Sequence, residues 1–182
     1  MRILITGASG SGTSTLAAAL ANHLSHHTYL DGDHYYWLKP EPPFIAKRSP
    51  YARLKKLSED IARVSNFVLA GSVDGWGATV ENTFDIIVFL YLPTEIRIDR
   101  LRKRELQRFG TVDPAFLKWA AQYDTGTEEG RSLAKQRQWL AARNCPVLSL
   151  EGDLSVAARL TQTIDYINIS LQERLNEHEN NP

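Results

Sequence analysis

Ile3-Leu4-Ile5-Thr6-Gly7-Ala8-Ser9-Gly10-Ser11-Gly12-Thr13-Ser14-Thr15-Leu16-Ala17-Ala18-Ala19-Leu20 sets a glycine- and serine-rich turn between an apolar run and an alanine-rich run. The first run reads as a buried strand and the second as a helix, so the turn lies at a strand-to-helix junction. Glycines there let the backbone bend tightly enough for successive N–H groups to converge on an anion, and the positive end of the following helix dipole adds to the attraction. Phosphate is the natural guest. Against the pattern G-x-x-x-x-G-K-[ST], Gly7 and Gly12 are in register, Ser14 stands where a hydroxyl ligates Mg²⁺, and Thr15 is the adjacent hydroxyl. Position 13 departs from the pattern, with threonine where lysine would meet the β- and γ-phosphates. Losing such a group from a preorganised site costs on the order of 2–4 kcal/mol if nothing replaces it. The expected phosphate contacts are Gly7, Ser9, Gly10, Ser11, Gly12, Thr13, Ser14 and Thr15.

Outward from this loop, further apolar runs at 28–30, 67–70, 86–92 and 147–150 join 3–6 as five predicted strands. Most are apolar throughout and do not alternate, which is how strands read when helices cover both faces of a parallel sheet. Helices are expected between nearly all of them. The first covers 13–25; the second has Ser49 as its cap and Pro50 at its first position, and runs to about 64. The third starts after Pro93 with Thr94 as cap, presents Ile96, Ile98, Leu101 and Leu106, and stops at Phe109-Gly110. Two more are expected at 114–123 and 128–144, and a last helix begins near 155 and frays from about 176. The alternation argues for one doubly wound α/β domain over residues 1–182, with 110–145 as a helical, mobile cover. Pro40-Glu41-Pro42-Pro43 is the one conspicuous irregular stretch.

The bulk composition excludes several classes. The 43% hydrophobic and 23% charged residues describe an ordinary globular chain, not a disordered or coiled-coil one. Basic and acidic residues number 21 each, so no global field favours nucleic acid or an anionic membrane. The lone cysteine, Cys145, precedes Pro146 and an apolar run and reads as a packed thiol. No stretch approaches the ~18 apolar residues of a membrane span, and the opening run is too short for a signal core. A cytoplasmic, unprocessed protein, monomer or homodimer, is the expectation.

With its phosphate loop in this setting, the chain resembles the adenylate kinase and shikimate kinase-like group of P-loop phosphotransferases, especially a bacterial branch with Gly-Thr-Ser or Gly-Thr-Thr in place of Gly-Lys-Ser. The resemblance runs from Ile3 to about Asp153. It implies a three-layer fold with a five-stranded parallel sheet in the order 2-3-1-4-5, an acceptor region after the second strand, an arginine-bearing lid, and ATP with Mg²⁺ as cofactors. It names no acceptor.

Other constellations fit that frame. Asp31-Gly32-Asp33 closes the second strand, at the sheet edge where ligands gather, and is similar to the Asp-Gly-Asp of gluconate and adenylylsulfate kinases. A carboxylate there can hold a Mg²⁺-bound water or receive a hydroxyl's proton, and Asp33 is the favoured one; an Asx-turn is the bland alternative. His34-Tyr35-Tyr36-Trp37 offers stacking surface, with Trp37 a candidate substrate contact, unless these are core aromatics. Gly71-Ser72-Val73-Asp74-Gly75-Trp76-Gly77 forms a second candidate wall: Gly71 and Gly75 allow close approach, and Asp74 is a candidate partner of Mg²⁺ through water or else a helix cap.

Arg97, Arg100, Arg104 and Arg108 share one helical face. Arg100 and Arg104 resemble arginines that relatives place near the base and the transferring phosphate; Arg97 and Arg108 read as a solvated, ion-paired face. Arg131, flanked by Gly126 and Gly130, is the candidate mobile arginine, and with Lys135 it is placed to supply the charge absent at Thr13. Glu151-Gly152-Asp153 stands where this group rests its base. The histidines show no ligand spacing, so no structural metal is expected. The leading reading is a Mg-ATP-dependent kinase acting on a small molecule or nucleotide; a regulatory pseudo-kinase and a slow NTP hydrolase remain open.

Overall fold

The structure, a computed structural model, describes residues 1–38, 46–126 and 130–179. The Pro40–Pro43 stretch and the expected helix start at 128 lie outside the described residues. Strand β1 (Arg2–Gly7) leads into α1 (Thr13–His23), followed by β2 (Thr28–Asp31), α2 (Gly32–Tyr36), α3 (Pro50–Ala62), β3 (Phe67–Ala70), α4 (Ala78–Glu81) and β4 (Ile86–Tyr91). Then come α5 (Thr94–Phe109), α6 (Pro114–Ala121), α7 (Leu133–Ala141), β5 (Val147–Glu151) and α8 (Val156–Glu179). All five strands pair in parallel, in the order β2-β3-β1-β4-β5. This is the P-loop kinase-like fold.

The continuous apolar runs have the expected cause. Alternate residues of β1 serve opposite layers: Leu4 packs with Leu57, Phe67, Ile87, Trp139 and Leu140, while Ile3 and Ile5 pack with Leu16, Leu20, Val88 and Ile167. A strand with a helical layer on each side has no polar face to offer. Cys145 is half-buried against the first of these layers.

Capping explains most helix starts. The Ser49 hydroxyl accepts from Ala52 N–H at 3.3 Å with Pro50 in the first turn, and the Ser155 hydroxyl accepts from Ala158 N–H at 3.1 Å. Two starts differ from expectation. Thr94 does not cap α5: Pro93 occupies that position, and the Thr94 hydroxyl donates to Asp124 at 2.6 Å. Helix α7 begins at Leu133 because Ser132 caps it, accepting from Lys135 N–H at 3.3 Å, which leaves Arg131 outside the helix. Nor is α7 a loose cover. Its Trp139 and Leu140 belong to the core, and its buried Gln136 donates to Thr6 of β1 at 2.7 Å.

Candidate active site

The phosphate loop is the link between β1 and α1. Ser11 N–H closes a turn on the Ala8 carbonyl at 3.1 Å, with Gly10 at φ +85° in the position where a type II turn needs positive φ. A Cβ on Gly10 would also stand 2.8 Å from the Arg97 carbonyl. Gly12 precedes α1 with no side-chain cap. Among the described residues, the N–H groups of Gly10, Gly12, Thr13 and Ser14 therefore have no protein acceptor. A helix start with free donors and the positive dipole end is an anion site. Thr13 is half-buried, and Ser14 and Thr15 are exposed. The Ser14 hydroxyl bonds the Tyr29 phenol, whose pKa is raised by burial and then by Asp31.

Cations reach this loop from elsewhere in the chain. Nη2 of Arg131 donates to the Gly7 carbonyl. Desolvation lowers the Arg131 pKa, while Tyr123, Asp33 and Asp74 oppose that shift, so one guanidinium lies within electrostatic reach of both candidate carboxylates. Lys135 does not accompany it to the loop: its Nζ donates to the Gly130 carbonyl at 3.1 Å. Arg100 pairs with Asp153, and its Nη1 lies 4.0 Å from where a Gly12 Cβ would be. Arg104 is exposed and holds Glu105 at 2.9 Å, and its charge is felt at Asp33.

Arg97 corrects the reading of a solvated face. It is fully buried, and donates from Nε to Leu92 O (2.9 Å), from Nη1 to Ala120 O (3.1 Å) and Ser9 O (3.4 Å), and from Nη2 to Thr94 Oγ1 (2.8 Å). Its ion pair with Asp124 spans 3.4 Å. A buried guanidinium with this many acceptors ties α5, α6 and the loop together. Arg108 is exposed over the Phe109 ring, as expected. A further arginine that no local pattern marks, Arg159 of α8, is 3% exposed and donates to Ser11 O at 2.6 Å and Gly152 O at 2.9 Å.

On the other side of the cleft, Asp31 turns out to cap α2, its Oδ1 accepting from Asp33 N–H at 3.0 Å. The Asp33 carboxylate is exposed, hydrogen-bonded to the Trp37 side chain and within electrostatic reach of Arg131. Partial desolvation, then the Asp31 charge, raises its pKa above the ordinary carboxylate range. Asp74 is exposed and also raised, by desolvation and then Glu81. The Gly71 and Gly32 backbones lie close together, a Cβ on Gly71 falling 3.5 Å from the Gly32 Cα, and nothing lies within 4 Å of a Cβ on Gly75.

The Tyr36 and Trp76 rings stack with centroids 6.3 Å apart, and the Arg53 guanidinium lies 5.2 Å from the first and 4.8 Å from the second. The Arg53 Nε is buried without a hydrogen-bond partner among the described residues. This places a cation on an aromatic pair that joins the two stretches the sequence reading named, 34–37 and 71–77, and Arg53 is the member that reading missed.

With this geometry in place, the chain's likeness to known proteins can be read. A family profile described as AAA domain matches residues 3–108. The chain belongs to the AAA domain family. This AAA-domain protein is 43% identical over 175 residues to Uncharacterized protein YqaC of Bacillus subtilis (strain 168), covering 91% of this chain and 96% of that one. It is 30% identical over 127 residues to Cytidylate kinase of Pyrococcus furiosus, covering 65% of this chain and 63% of that one. Among solved structures, a gluconokinase from Sinorhizobium meliloti superimposes with a TM-score of 0.61 at 18% identity, over 97% of this chain and 96% of that one. Shikimate kinase from Acinetobacter baumannii, in complex with shikimate, gives 0.56 at 19%, over 93% of each. At these identities the structural likeness concerns the fold. No helix among the described residues is long and apolar enough to cross a membrane.

Proposed function

We propose that this AAA-domain protein is a Mg-ATP-dependent phosphotransferase acting on a small acceptor, with Arg131 supplying the positive charge that lysine provides in the usual phosphate loop. The observation that carries the reading is the Arg131 guanidinium on the Gly7 carbonyl of the phosphate loop, within electrostatic reach of Asp33 and Asp74. Phosphoryl transfer asks a protein mainly for positioning and charge neutralisation. The loop from Gly7 to Thr13, Ser9 and Ser11 included, wraps the phosphates, with the N–H groups of Gly10, Gly12, Thr13 and Ser14 as donors, and Arg131, with Arg100 and Arg104 at the rim, neutralises the transferring group. Ser14 and Thr15 offer hydroxyls at the start of α1, and Ser14 with Asp74, through water, is the fitting donor set for Mg²⁺: hard oxygens suit that ion. When bound, such an ion would supply positive charge that neutralises the phosphates.

Asp33 accepts the proton of the acceptor hydroxyl. Its raised pKa, from desolvation and then the Asp31 charge, makes it a stronger base than a free carboxylate. Asp31 holds Asp33 in place from the cap of α2. Trp37, Gly71 and Gly75 line the acceptor space, and Arg53 over Tyr36 and Trp76 favours an acceptor with a planar face or an anionic group. The neutral residue at position 13 favours a second reading, a nucleotide-binding regulator or slow NTP hydrolase that closes on ATP with little transfer.

Calorimetric titration with ATP and with ADP, each with and without Mg²⁺, followed by a turnover assay on the same sample, separates these readings. Magnesium-dependent binding with turnover is expected. Binding without turnover selects the regulator, and absence of binding overturns the nucleotide reading altogether.

A further inference from the structure

Three arginines from distant parts of the chain donate to carbonyls of alternate residues in the phosphate loop: Arg131 to Gly7, Arg97 to Ser9 and Arg159 to Ser11. In a planar trans peptide the C=O of one residue and the N–H of the next point in opposite directions. A donor fixed on the Ser11 carbonyl therefore fixes the Gly12 N–H on the side away from that donor, and this N–H has no protein acceptor among the described residues.

Resting on the phosphate-binding reading above, we propose that Arg159 is a positioning residue of the phosphate loop: it holds the Ser11–Gly12 peptide plane so that the Gly12 N–H meets bound phosphate. Several features single out Arg159 among the three. Its bond to Ser11 O is 2.6 Å against 3.4 Å for Arg97 to Ser9 O, and Arg97 spreads its donors over four other groups. Arg159 has its other printed side-chain bond on Gly152 O, in the loop after β5, so both of its bonds hold loops of the site. It approaches from the carbonyl side and is buried there, behind Gly12, where a Cβ would stand 3.2 Å from its Nη1. The guanidinium thus acts through the backbone and lends its charge to a loop whose own cation is absent.

The test uses Arg159→Met, which keeps much of the side-chain length and removes both donors. Two quantities are read: hydrogen exchange of the Gly12 amide, and affinity for inorganic tripolyphosphate and for ATP. With tripolyphosphate bound, the Gly12 amide is expected to exchange faster than in the wild type, and both ligands to bind roughly tenfold more weakly, the effect of losing about one well-placed hydrogen bond's worth of order. In turnover the loss is expected in KM for ATP, with kcat changed less. If Arg159→Met does not fold, Arg159→Lys retains the charge but cannot span Ser11 and Gly152 together, and an intermediate loss is expected from it. Wild-type Gly12 exchange together with wild-type tripolyphosphate affinity in the variant that folds overturns the proposal. Should the wild-type protein bind neither ligand, the phosphate-binding reading fails and this proposal falls with it, whereas a wild type that binds and a variant that binds equally well refutes the role of Arg159 alone.

Discussion

The proposed phosphate side and the proposed acceptor side of the site are built from different materials. On the proposed phosphate side the ligand-facing groups are backbone N–H donors; arginines 88 and 148 residues away in sequence bond the Ser9 and Ser11 carbonyls, and Arg131, 124 residues away, bonds the Gly7 carbonyl and adds the charge. On the proposed acceptor side the groups are side chains: Asp33 and Tyr36 on the short helix α2, Trp37 and Trp76 in loops, and Arg53 on α3. Backbone recognition depends on the conformation of the loop, so a residue such as Thr13 can replace lysine if the charge comes from elsewhere. Side-chain recognition depends on residue identity, so on the proposed reading substrate selection would rest with the acceptor side.

The largest effect expected from this contrast is at Arg131, which serves the phosphate side but lies within electrostatic reach of Asp33. Arg131→Ala should lower turnover roughly 100- to 1,000-fold, the scale of removing one preorganised charge stabiliser, while ATP affinity in calorimetry falls far less. Next comes Asp33→Asn, expected to lower kcat about 100-fold. Asp33 must be ionised to take a proton, so the wild-type rate should fall as pH drops through its raised pKa, and the acid limb of the pH profile should vanish in the variant. Gly10→Ala tests the backbone side. Positive φ and the 2.8 Å approach to the Arg97 carbonyl should cost about 2 kcal/mol, seen as a Tm lowered by roughly 4–8 °C, with weaker ADP binding. Smallest is Arg53→Ala, which should raise KM for the acceptor identified by screening about five- to tenfold and leave ATP affinity unchanged. Loss of ATP affinity in that variant would break the division between the two sides.

Much of this architecture was legible in the sequence, and the exceptions have physical causes. Continuous apolar runs mark the five strands because each face of the sheet is covered, and Ser49, Ser155 and Gly110 mark helix ends because capping is local chemistry. The phosphate loop was legible for the same reason: its glycines answer to backbone geometry within a few residues. Arg97 was misread because spacing shows which arginines share a helical face but not how deep that face lies. The first turn of α5 is covered by the phosphate loop and α6, and further along the same helix Arg108 reaches solvent. The short helices α2 and α4 carry too few residues to show a period. The start of α7 depends on Ser132 acting as a cap, and the contacts of Arg131 and Arg159 join segments with no local signature of each other.

The central claim is that a distant arginine does the work of the missing lysine, and the most direct measurement is ATP turnover in Arg131→Ala with and without Thr13→Lys. A deep loss in the single variant, with substantial recovery when Thr13→Lys restores a cation to the loop, is the predicted result. Wild-type turnover in Arg131→Ala would contradict it.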